Sequence, residues 1–367
     1  MNITQRIQAL PKAELHVHLD GSLRPATLIE LAGACGVPLP SSDPDAIRDY
    51  MHVSGARDLL EYLDRFRITL GVMQTAPSLE RIAYELAEDT ARENVRYLEV
   101  RFCPVLNTER GLTAHQAVEA ALTGLRRAEQ DFGIRSGVIV CALRSLSPTV
   151  SLEMAEVAVD LHGRGVVAFD LAGAENGNPP SDHITAFQLA ADANLPITVH
   201  AGEAYGTPSI HEAIHYCHAR RIGHGTRLFE DPELLHFVND FRIPLEVCLT
   251  SNVQTRAVPS VAEHPLRLYY DQGLRLTLNT DNRLMSNTTI SDEYRIAHEQ
   301  LGFTWDELCD LALMSFESAF LPWAEKRVLV AEAAMRIAEL SAGTRDRPAK
   351  TPGRGAPRLA GMGPPGA

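Results

Sequence analysis

Eight short apolar, β-branched runs alternate with stretches of helical periodicity, and this alternation limits the fold of the 367-residue chain more than any other feature. The runs lie at 13–18, 95–102, 136–142, 166–171, 195–200, 221–224, 244–249 and 274–279. Helical patterns fill most gaps, most clearly at 56–73, 79–94, 114–130, 150–162 and 182–193. Strands separated by helices must run parallel. Eight such units predict an α/β fold, a closed (β/α)8 TIM barrel with its helices outside. Residues 21–94, between the first two strands, hold several helices rather than one, so a helical insertion is expected over the barrel mouth. Its residues Leu59, Leu60, Tyr62, Leu63 and Phe66 are apolar at helical spacing, either packing on the body or walling the site.

Chemistry-bearing residues gather at the strand ends. His16 and His18 close the first run and point to one face, because a strand alternates its side chains. His200 and Glu203 follow the fifth run, His224 the sixth, and Asp281 and Asn282 the eighth. Barrel enzymes build their sites at these C-terminal strand ends, so sequence-distant groups converge. Two imidazoles on one face, a third histidine and a carboxylate form an N/O ligand set for a borderline divalent metal, most often zinc.

Composition excludes other readings. The formal charge of −13 disfavours a polyanion, so no nucleic-acid partner is expected. No apolar run reaches membrane-spanning length, and the N-terminus lacks a secretory apolar core. Cysteines 35, 103, 141, 217, 248 and 309 are scattered without a Cys-x-x-Cys pair, as in a cytoplasmic protein with reduced thiols. Residues 1–340 are expected to form one barrel domain. The tail, 341–367, is expected to be disordered: its last 26 residues hold five Pro and six Gly and carry a charge of +4.

ELHVHLDG at 14–21, DLAGAE at 170–175, HAGE at 200–203, RIGHG at 221–225 and LNTD at 278–281 stand in one order. Through them the chain resembles the adenosine deaminase family of zinc-dependent purine nucleoside deaminases, over about residues 10–320. The resemblance implies the same eight-stranded barrel. It implies that His16, His18, His200 and Asp281 hold one zinc ion, that Glu203 is the proton donor and that His224 is the catalytic histidine. It places Asp20 and Gly173 among the substrate contacts, with His18 bordering the pocket. The implied reaction converts adenosine or deoxyadenosine and water to inosine or deoxyinosine and ammonia. Adenine or another 6-aminopurine compound is the enzymatic alternative, and a silent nucleoside-binding protein on this fold is the alternative from another class.

The residues fit these roles. Zinc lowers the pKa of bound water to about 7. Glu203, three residues beyond a ligand, can protonate the ring nitrogen and shuttle protons. His224 lies between two glycines and can orient the attacking hydroxide. Asp281 could instead cap a helix, but it follows an apolar strand. Gly173 serves either a turn or a backbone N–H contact to the purine. The family usually has a second aspartate where this chain has Asn282, and that carboxyl pairs with purine N7. An aspartate must be protonated to donate there, whereas an asparagine amide donates at any pH. Asn282 therefore either keeps the contact or marks a changed purine.

Three further patterns have simpler readings. His211, His215 and His218 recur at i, i+4 and i+7, and HEAIH matches a His-Glu-x-x-His protease motif, but the helix is expected outside the barrel. No Pro-Cys-x-x-Cys signature is present, which excludes the other zinc deaminase class. Glu99 and Arg101, alternating on the second strand, are expected to form a structural ion pair.

Overall fold

A computed structural model describes residues 1–52 and 65–342. All eight runs form strands: β1 Lys12–His18, β2 Val95–Phe102, β3 Arg135–Leu143, β4 Val166–Ala172, β5 Thr198–Ala201, β6 Arg221–His224, β7 Leu245–Val247 and β8 Leu276–Leu278. They pair in sequence order as two four-stranded parallel sheets, β1 to β4 and β5 to β8. Isolated parallel bridges join Phe169 to Ile197 and Val17 to Asp281, closing the ring at both seams. The TIM barrel is therefore present, and the second seam lies among the candidate site residues.

The helices form where sequence chemistry starts and stops them. Helix Ala114–Phe132 begins with a Thr113/Gln116 capping box and ends at Gly133 in the left-handed region. Helix Ala76–Arg92 starts from Thr75, whose hydroxyl accepts from the Ser78 N–H. The 56–73 pattern is represented by helix Phe66–Val72, with Phe66 buried; Leu59, Leu60, Tyr62 and Leu63 lie outside the described residues. The 182–193 pattern is a 3₁₀ turn, Pro180–His183, followed by helix Ile184–Asp192. Helices Trp305–Ser318 and Trp323–Ala342 end the described chain, and their Phe316, Leu329 and Ala333 pack with Ala13, Leu15 and Tyr97. The tail from residue 343 lies outside the described residues. No helix among the described residues is long and apolar enough to cross a membrane.

The barrel lumen carries charges as well as hydrocarbon, and here the expected Glu99–Arg101 pair is corrected. Arg221 Nη2 donates to Glu99 Oε2 at 2.5 Å, and its Nε donates to Glu246 Oε1 at 2.6 Å. Arg101 instead bridges Asp170 Oδ2 at 2.9 Å and Glu246 Oε2 at 2.8 Å. Residues two apart share a face of β2 but occupy successive layers of the barrel. Each therefore reaches across the lumen rather than along its own strand. All five side chains are buried.

Candidate metal and active site

The strand ends bring ring nitrogens and a carboxylate to one point. His18 Nε2 lies 3.1 Å from His200 Nε2 and 3.4 Å from Asp281 Oδ1, and His16 Nε2 is also 3.4 Å from that oxygen. One potential ligand atom from each of His16, His200, His224 and Asp281 lies within 4.8 Å of the others. Five candidate groups thus surround one small volume.

Buried carboxylates turn two imidazoles inward. His16 Nδ1 is 2.8 Å from Glu246 Oε2, and His200 Nδ1 is 3.2 Å from Asp170 Oδ1. A histidine beside a carboxylate donates Nδ1–H and keeps the Nε2 lone pair free. His16 Nε2 is buried with no hydrogen-bond partner. Such an orphan acceptor is costly unless something positive occupies the space. Asp281 turns Oδ1 toward both His16 and His18, at 3.4 Å from each Nε2. Its second oxygen accepts from Ser251 Oγ at 2.6 Å. Asp281 and His224 both have left-handed backbones, with φ 61° and 64°, conformations that non-glycine residues avoid.

The metal-side groups open into a cavity of about 250 Å³. Its walls include His18, Asp20, Leu106, Leu143, Gly173, Glu203, His224 and Asn282, with Phe66 and Leu70 from the insertion. Glu203 is buried, which raises its carboxyl pKa; Oε1 accepts from Thr255 Oγ1 at 2.8 Å, and Oε2 is 3.5 Å from His224 Nε2. Burial pushes Asp20 up to about 7, with the Asp281 carboxylate adding to the shift. Gly173 has φ 96°, while a Cβ there would meet Leu143 Cδ2 only at 3.5 Å, so backbone conformation rather than space calls for glycine. Asn282 Oδ1 sits against Gly21, 1.8 Å from where a Cβ would stand.

The match to known proteins agrees with this geometry. The adenosine deaminase family model matches residues 11–335. The chain belongs to the adenosine deaminase family. An adenosine deaminase of Mycobacterium sp. (strain JLS) is 43% identical over 342 residues, covering 89% of this chain and 94% of that protein. Adenine deaminase from Arthrobacter aurescens superposes with a TM-score of 0.83 at 32% identity, over 90% of this chain and 99% of that one. A zinc-bound amidohydrolase from Burkholderia ambifaria gives 0.84 at 28% identity, over 94% and 95%. The chain is thus an enzyme of the adenosine deaminase type.

Several residues that hold this site in place are not among the candidate site residues of the sequence. Glu175 closes DLAGAE, and its carboxylate accepts the backbone N–H groups of Gly202, Glu203, Ala204 and Tyr205 at 2.5, 3.0, 2.7 and 2.8 Å. Four amides on one anion fix the loop that carries Glu203. Asp170 opens the same motif, whereas Glu246 is a carboxylate set inside the apolar strand β7. Asn252 and His264 gave no signal, although Asn252 Nδ2 is 3.0 Å from His224 Nδ1.

The outer histidines stay apart from the site. His211 and His215 lie on helix Thr207–His215 with ring centroids 4.3 Å apart, but the helix ends there and His218 has φ 60°. Glu212, the base of a protease reading, accepts from the Ser181 N–H at 3.2 Å. Among the described residues, the group of three or more potential metal ligands is the one at the barrel mouth.

Proposed function

We propose that this protein hydrolyses the C6–amino bond of adenosine or deoxyadenosine with one zinc ion held by His16, His18, His200 and Asp281. The observation that carries the reading is the spacing of the inward ligand atoms. A tetrahedral ion with bonds of about 2.0–2.1 Å separates its ligand atoms by roughly 3.3 Å. Three of these separations in the structure, His18 to His200 and both His16 and His18 to Asp281, are 3.1, 3.4 and 3.4 Å. The zinc-bound Burkholderia neighbour supports the choice of metal. When bound, zinc supplies a water acidic enough to yield hydroxide near neutral pH.

The chain's residues then divide the work. Water adds its oxygen to C6, the C6–N bond breaks, and the amine leaves as ammonia. Glu203 carries a proton to the ring nitrogen, and its raised pKa suits a group that must be protonated part of the time. His224 faces Glu203 and steadies charge developing at C6. Asp20, Gly173, His18 and Asn282 line the cavity and contact the nucleoside, with Asn282 directed to N7. No lysine or arginine lines the cavity among the described residues, whereas Asp20, Glu203 and Asp281 do. Within the described lining a 5′-phosphate would meet carboxylates and no cationic side chain, which supports an uncharged nucleoside over a nucleotide. Adenine is the second reading, supported by the Arthrobacter neighbour and by Asn282.

Glu203→Gln tests the proton role. The variant should keep its zinc and its affinity for nucleoside but lose roughly 10²-fold or more in rate. Near-normal turnover would show that another group moves the proton.

A further inference from the structure

The His224 ring could offer either a lone pair or an N–H to the cavity, and a chain of hydrogen bonds behind it decides which. The chain starts at the backbone N–H of Leu266, which can only donate, and which lies 3.0 Å from His264 Nδ1. His264 Nδ1 must therefore accept, so the proton of this neutral ring is on Nε2. Burial, with His224 adding to it, lowers the His264 pKa to about 3 and keeps the ring neutral. His264 Nε2–H then donates to Asn252 Oδ1 at 3.2 Å. That contact fixes which end of the Asn252 amide is oxygen, an orientation otherwise open to exchange. Asn252 Nδ2 in turn donates to His224 Nδ1 at 3.0 Å. His264 and Asn252 are buried, so water does not compete for these bonds.

We propose that His264 and Asn252 are positioning residues that lock His224 as the Nε2–H tautomer, making it a hydrogen-bond donor to the reaction centre and withholding it from the metal. The contrast with its neighbours is direct. His16 and His200 have carboxylates behind Nδ1 and face inward with lone pairs. His224 has an amide donor behind Nδ1 and faces inward with N–H, 3.5 Å from Glu203 Oε2. Three similar rings are thus sorted into two ligands and one donor by what lies behind each. This inference rests on the proposed participation of His224 in the reaction.

Asn252→Asp tests it, because a carboxylate of the same shape must accept from His224 Nδ1–H and so reverses the tautomer. A catalytic histidine held in the wrong tautomer costs about 10⁴ in kcat in the serine protease triad. Here the holoenzyme variant should lose at least about 10² in kcat with KM within about threefold of the parent. Asn252→Ala, which only releases the ring, should be the more active of the two. A merely structural role would reverse that order, since Asp preserves shape and Ala does not. The lock is overturned if Asn252→Asp stays within about threefold of the parent kcat, or if Asn252→Ala is the less active. Should Asn252→Asp fail to fold, ¹⁵N-histidine spectra of the parent holoenzyme decide. They should show His224 and His264 protonated at Nε2 and bare at Nδ1, and a bare His224 Nε2 overturns the lock. Full activity in His224→Ala would instead overturn the proposed role of His224 while leaving the tautomer measurement valid.

Discussion

Replacing Arg101 with Met probes whether the buried charge lattice of the barrel holds the metal ligands in place. The parent guanidinium donates to Asp170 Oδ2 at 2.9 Å, to Glu246 Oε2 at 2.8 Å and to the Leu15 carbonyl at 2.7 Å. Met fills much of the same space, so the loss is chiefly electrostatic. Glu246 would keep Arg221 at 2.6 Å and Thr198 at 3.0 Å. Asp170 would keep the Leu171 N–H at 2.7 Å and His200, but no guanidinium within hydrogen-bond reach. One carboxylate therefore loses its guanidinium partner outright, rather than two. Breaking one buried pair costs about 3–5 kcal/mol, and that is the expected loss in urea unfolding of metal-free protein. Asp170 and Glu246 also orient His200 and His16, so metal affinity should fall roughly 10- to 100-fold. Arg24→Met is the control, because its pairs with Glu88 and Asp89 are partly exposed, with Arg24 at 28%. It should cost no more than about 1 kcal/mol. Equal, small losses in both variants would refute the reasoning.

Purified protein should contain about one divalent ion per chain; His16→Ala and His200→Ala should lose it and His211→Ala should not, as metal analysis would report. Retention in His16→Ala with loss in His211→Ala would place the metal on the outer helix. Burial pushes the Glu293 carboxyl from 4.5 up to about 7, so between these values the folded chain holds a proton that the unfolded chain releases. Stability should therefore fall as pH rises through that window, and Glu293→Gln should show a shallower fall in Tm from pH 5 to 7; parallel curves would contradict the assignment. A 7-deaza analogue, lacking the N7 acceptor, should bind about 1–3 kcal/mol more weakly than adenosine if Asn282 reads N7; equal inhibition constants would remove that contact.

The strands and their chemistry were legible because both are local. An apolar β-branched run followed by His, Glu or Asp reads the same in isolation as in the barrel, and β1, β5, β6 and β8 each deliver their residues to the mouth. What stayed hidden depends on contacts across the lumen. Arg101 was paired with Glu99 by proximity along the strand, but its partners Asp170 and Glu246 lie 69 and 145 residues away. The tautomer of His224 is set by residues 28 and 40 positions later, the second acting through the first. Asn252 and His264 belong to no periodic pattern, so only the folded chain could reveal them. The HEAIH segment shows the opposite failure: a good local motif whose helix ends before the third histidine.

Ammonia release from adenosine, deoxyadenosine, adenine and AMP by the zinc-loaded protein tests the central claim most directly. The account predicts rapid, stoichiometric ammonia from adenosine or deoxyadenosine, with inosine or deoxyinosine as the other product. AMP should be a poor substrate, because the described cavity lining offers its phosphate no cation. Faster turnover of AMP or adenine, or no ammonia from any of the four, would contradict it.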